Sequence, residues 1–171
     1  MTDSRINKIA YTGLLSAFAI IISYVEMLLP LDIGIPGVKP GLANFVILIA
    51  LYEFSIKEAF TINFIRILIN GILFTNMFSV IFSLSGAFIS MITMFLVKKI
   101  KGISIIGVSI SGGVSHNIGQ LLIASVIVDT YSVVYYIPVL ILSGIITGIL
   151  VGVLALKVKP VVHKIIKGDK L

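Results

Sequence analysis

The stretch FSVIFSLSGAFISMITMFLV, residues 78–97, runs directly into Lys98-Lys99-Ile100-Lys101. It holds no charged residue, and it has the length, about 20 residues, that a helix needs to cross the hydrocarbon core of a bilayer. The cations that follow mark the side on which it stops, because cytoplasmic membrane loops are enriched in Lys and Arg. This segment therefore predicts a span and its direction together. Five further apolar runs flank it: residues 9–29, 42–54 and 59–74 before, residues 103–128 and 133–156 after. The predicted fold is an all-α integral membrane protein, one six-transmembrane-helix bundle over residues 1–171. Residues 157–171 form a basic tail.

The remaining charges agree with that direction. With the N-terminus in the cytoplasm, eleven of the thirteen cations fall inside: Arg5, Lys8, Lys57, Lys98, Lys99, Lys101, Lys157, Lys159, Lys164, Lys167 and Lys170. Lys39 falls outside and Arg66 within the membrane. The reverse orientation breaks the positive-inside rule, so both termini are expected in the cytoplasm and the protein in the cell membrane, multi-pass. Composition closes off other classes. Of the 171 residues, 58% are hydrophobic and only 12% charged, against about 45–50% and about 25% in soluble chains. That excludes a soluble enzyme, a disordered tail and a nucleic-acid-binding domain. The net charge of +6 belongs to membrane edges, so no nucleic acid is expected as a partner.

Polar residues at membrane depth are costly and face the interior of a bundle or a functional site. Asn63, Arg66 and Asn70 are spaced i, i+3, i+7, on one face of the third helix. They read either as a self-satisfied network, with Glu26 as a further partner of Arg66, or as a site for an anionic or strongly polar group. The fifth helix carries Ser109, Gly113, His116, Asn117 and Gln120, with Gly113, His116 and Gln120 on one face. His116 is expected to bind a ligand or carry a proton. Helix 6 has small residues at Gly144, Gly148 and Gly152, and helix 1 at Gly13 and Ala17. Such stripes allow close helix approach.

Several chemistries have no residues to run them. There is no cysteine, hence no disulfide and no thiolate site. There is no P-loop, no H-E-x-x-H and no Ser-His-Asp set. No paired acids exist to hold magnesium against a diphosphate. No catalytic residue, metal or cofactor is expected in this chain.

The segments Lys39-Pro40-Gly41-Leu42-Ala43-Asn44, Arg66, Gly107-Val108-Ser109, His116-Asn117-x-Gly119-Gln120 and Tyr136-x-Pro138 occur in one order. They resemble the Gx transporter family, also labelled heptaprenyl diphosphate synthase component I. That family is grouped with the substrate-binding (S) components of energy-coupling factor transporters. The resemblance implies a pocket that opens outward beneath the loops joining helices 1–2, 3–4 and 5–6. It also implies that the helix 1 stripe, here Gly13 and Ala17 rather than the usual alanine pair, docks on a transmembrane coupling subunit served by two ATPases. The second label implies a non-catalytic accessory subunit beside a soluble prenyl diphosphate synthase. A structural membrane subunit, for example of a redox complex, is a third expectation and predicts a closed polar core.

The expected function is binding or uptake of a small molecule, anionic or strongly polar, from the outer side of a lipid membrane. Arg66, Asn70, His116, Asn117 and Gln120 are the expected polar lining. Lys39, Asn44 and Asn76 are expected at the mouth, and Tyr136 as a stacking surface. A proton-coupled carrier acting alone would use His116 and Glu26 as titrating groups.

Overall fold

A computed structural model describes residues 2–28, 41–129 and 135–168, without the side chains of residues 2–5. The regular structure in these residues is helical. The elements are α1 (Thr2–Leu28), α2 (Asn44–Glu53), α3 (Ile56–Phe74), α4 (Met77–Lys98), α5 (Ile105–Val128) and α6 (Ile137–Lys167). Local chemistry explains where several of them begin. The side-chain oxygens of Ser55, Asn76 and Ser104 accept from the backbone N–H groups of Lys57, Ser79 and Gly107, capping α3, α4 and α5. Each satisfies a donor that the first helical turn leaves orphaned. Pro138 sits in the first turn of α6, where its missing N–H breaks no helical bond.

Among the described residues, four helices are long and apolar enough to cross a membrane: α1 over Ile6–Leu28, α4, α5 and α6. The two others differ for separate reasons. α3 has 19 residues, but it carries three charged residues, Lys57, Glu58 and Arg66. α2 has only ten residues, about 15 Å at about 1.5 Å per residue, half the thickness of a hydrocarbon core. Val46, Ile47, Leu48, Ile49, Ala50 and Leu51 in α2 are all 1% exposed or less. A helix that is apolar all round has to be covered all round. Ala59, Ile62, Met91, Met94, Ile105, Val108, Val151 and Ala155 from α3, α4, α5 and α6 supply that cover. The basic segment after residue 156 continues α6 as far as Lys167, through Pro160.

Contacts run α2–α6–α5–α4–α3–α2, and α1 packs outside against α3 and α2. The closest approaches are between α5 and its two neighbours. A Cβ added to Gly144, Gly148 or Gly152 of α6 would stand 2.7, 2.6 and 2.8 Å from the α5 backbone at Val114, Ile110 and Ile106. A Cβ on Gly86 of α4 would stand 2.8 Å from the carbonyl oxygen of His116. The stripe on α6 is thus consumed inside the chain. The stripe on α1 is not: Gly13 and Ala17 are exposed, and a Cβ on Gly13 would meet nothing within 4 Å.

Charged groups gather at one end of the bundle. Lys98 Nζ donates to the Leu51 carbonyl oxygen at 2.7 Å, satisfying a C-terminal carbonyl of α2 and the negative end of its dipole. Glu53 holds Lys159 at 3.3 Å and His163 at 2.5 Å, tying α2 to the end of α6. Lys8 holds Glu58 at 2.6 Å, tying α1 to the start of α3. Burial opposes ionisation of Glu58. Hydrogen bonds from Lys8 and the Ser55 hydroxyl, with the charge of Lys8, outweigh it and bring the carboxyl down from 4.5 to about 2.

Two measurements follow from this packing. Gly148→Leu should lower the unfolding temperature in detergent sharply, since overpacking costs about 1–3 kcal/mol or more, while Gly13→Leu should leave it unchanged. A carboxylate with a depressed folded pKa adds stability that is complete above its unfolded value and is lost as pH falls towards the folded one. Between about pH 4.5 and about pH 2, native protein should therefore lose more stability than Glu58→Gln. Parallel pH profiles of the two would disprove the latch.

Candidate functional site

Because α2 fills only one half of the ring, the other half is open between α1, α3, α4, α5 and α6. The opening is a cavity of about 410 Å³ that begins at Asn44, the first residue of α2, and extends to the helix ends at Met27, Thr75, Ser79 and Ala124. It lies away from the lysine-rich end. Its size is at the lower end of the range of about 300–1,000 Å³ for ligand sites.

Arg66 is the charge at its floor. Nε and Nη2 donate to Asn63 Oδ1 at 3.2 and 2.7 Å, and Nη1 donates to Ser23 Oγ on α1 at 3.4 Å. Asn63 lies one turn before Arg66 on the same face of α3, so the i, i+3 spacing alone brings the pair together. Asn70 lies one turn further on, 9% exposed, and its Oδ1 is buried with no hydrogen-bond partner. An unsatisfied buried acceptor costs about 1–3 kcal/mol. Glu26 is also buried, and its Oε1 accepts from the Gly41 N–H, where the chain takes a φ of 68° to enter α2. That left-handed backbone suits glycine. Glu26 and Arg66 share the cavity without an ion pair between them: no N–O contact falls within 4.0 Å among the described residues.

The opposite wall is α5. Gly113, His116, Asn117 and Gln120 all line the cavity. Asn117 Nδ2 also donates to the Leu140 carbonyl oxygen at 2.8 Å, which fixes α5 against the first turns of α6. Gly113 leaves room for the Gly144 carbonyl, 2.5 Å from where its Cβ would be.

The expected residues are therefore placed as follows. Arg66, Asn70, His116, Asn117, Gln120 and Asn44 meet around one cavity, together with Glu26. Asn76 instead caps α4 through its side-chain oxygen. Tyr136 precedes α6, is 56% exposed and lies outside the lining. Ser109 is buried beneath Gly152, 3.1 Å from where its Cβ would be, also outside the lining. Lys39 and the loop from Pro30 to Pro40 lie outside the described residues. Ser23, Thr75, Ser79, Ser83 and Thr147 line the cavity as well. Small hydroxyl residues are hard to single out in apolar sequence because they can bond to their own helix, as Thr147 does to the Ser143 carbonyl oxygen.

A helical bundle with apolar spans and a polar cavity among its helices defines a membrane protein with an internal polar site. The chain belongs to the heptaprenyl diphosphate synthase component I family, whose pattern it matches over residues 15–158. No curated protein matches it, and no solved structure does.

Asn63 is the acceptor on which Arg66 chiefly depends. Asn63→Ala should lower stability by about 1.5–3 kcal/mol, the range for hydrogen bonds to charged groups. The check is chemical unfolding in detergent, and a change within error would mean that Arg66 is satisfied elsewhere.

Proposed function

We propose that this chain is a membrane-embedded binding protein for a small molecule, captured from the outer side of the cell membrane, in the manner of an energy-coupling factor S component. The observation that carries this reading is the polar cavity at the end of the bundle opposite the lysines. Under the positive-inside rule the lysine-rich end is cytoplasmic, so the cavity faces outward. In that arrangement α3 spans with α1, α4, α5 and α6, α2 occupies only the cytoplasmic half of the sixth crossing, and both termini are inside.

The binding role assigned to the lining follows from its chemistry. Arg66 counters negative charge on the ligand. Asn70, Asn117 and Gln120 orient it by hydrogen bonds, and His116 and Asn44 complete the polar wall. The exposed Gly13 and Ala17 are the proposed docking face for a coupling subunit, which with ATPases would drive release, since this chain has no P-loop.

A second reading is favoured by the family's name: a non-catalytic membrane subunit that serves a prenyl diphosphate synthase. It explains why the chain lacks paired acids for a magnesium diphosphate. It leaves the cavity around Arg66 without a purpose, and for that reason it ranks second. A purely structural subunit predicts a closed polar core, which the cavity opposes.

Native mass spectrometry of gently purified protein separates these readings. The first predicts a small-molecule adduct that disappears in Arg66→Gln and in the Arg66→Gln, His116→Ala double variant, with a coupling subunit and ATPases co-purifying. A stoichiometric soluble prenyl synthase and no adduct would replace it with the second.

A further inference from the structure

The charged groups of the cavity are arranged in a way that selects among ligands. A guanidinium has five N–H donors. Arg66 commits three of them, two to Asn63 and one to Ser23. The two that remain form part of a fork suited to a carboxylate or phosphate. Ser23, which anchors the guanidinium, lies three residues before Glu26 on α1. Glu26 thus lies about one helical turn, about 5 Å, further along α1. No N–O contact within 4.0 Å joins it to Arg66, and both line the cavity. Asn70, one turn beyond Arg66 on α3, also lines the cavity, but its Oδ1 is occluded and has no hydrogen-bond partner among the described residues.

A cation with two donors left over and a carboxylate therefore line one small cavity. Two opposite charges that share a low-dielectric space without touching are both underpaired. A ligand with one charge satisfies one of them and leaves the other exposed to it. A ligand with both satisfies both. We infer that the cavity takes a zwitterionic small molecule, with its anionic group on Arg66 and its cationic, hydrogen-bond-donating group on Glu26. Met27, Phe82, Leu121 and Leu140 supply apolar wall for the rest of the molecule. This inference rests on the proposed reading of the cavity as a ligand site.

A matched series of probes tests it on the full-length protein in detergent. L-Tryptophan carries both charges, indole-3-propionate only the anion and tryptamine only the cation, all on the same ring. Binding of each is followed by the rise in unfolding temperature with concentration. The expected result is apparent affinity for tryptophan at least tenfold above that for either analogue. Glu26→Gln should abolish the preference over indole-3-propionate, and Arg66→Gln the preference over tryptamine. If Arg66→Gln does not fold, the ratio in Glu26→Gln decides alone. Equal or tighter binding of either singly charged probe overturns the inference, and so does no response to any of the three. Native mass spectrometry of the same preparation, without probes, separates that failure from failure of the underlying reading. A retained adduct keeps the cavity a ligand site whatever the probes show. No adduct and no response removes both.

Discussion

The length of α2 is the constraint from which the rest of the bundle follows. A ten-residue helix cannot reach from one side of a bilayer to the other, so it occupies one half of the ring formed with α3, α4, α5 and α6. Its residues 46–51 are apolar on every side, and the surrounding helices bury them. That half becomes the hydrophobic core. Among the described residues no sixth wall of side chains fills the other half, and polar residues of α1, α3 and α5 line it.

Two kinds of contact hold the core half in place. Glycines let α5 approach α4 and α6 at backbone distance, where dispersion contacts are densest and lipid cannot intrude. Charged side chains fasten the ends. Lys98 closes the C-terminus of α2, Glu53 ties α2 to α6, and Glu58 ties α3 to α1. Surface ion pairs contribute little alone. Here they fix where helices end relative to one another, and so where the cavity begins.

The cavity combines satisfied and unsatisfied groups. Arg66 is anchored by Asn63 and Ser23 with donors to spare. Asn117 gives one N–H to the carbonyl of Leu140, while Asn70 keeps a buried oxygen without a partner among the described residues. A network built only to neutralise Arg66 would close on Glu26. The two instead stand apart in the same space. The family's name points to a synthase subunit, whereas this geometry is the argument for a binding protein.

The sequence by itself determined the helical class, the lysine-rich end and the main polar positions. Charges and amides are conspicuous in apolar runs because a bilayer tolerates so few of them. Arg66, Asn70, His116, Asn117, Gln120 and Asn44 were legible for that reason. The run from 42 to 54 was legible as a helix but not as a buried one, since continuous apolarity looks the same against lipid and against protein. The hydroxyls at Ser23, Thr75, Ser79, Ser83 and Thr147 gave no signal. Asn76 carried an amide as prominent as the rest, yet it caps α4. Only the tertiary structure decided which of these groups meet. Helix rotation and offset follow from how closely the glycines of α4, α5 and α6 let backbones approach, and that is a property of facing surfaces. No single helix encodes it.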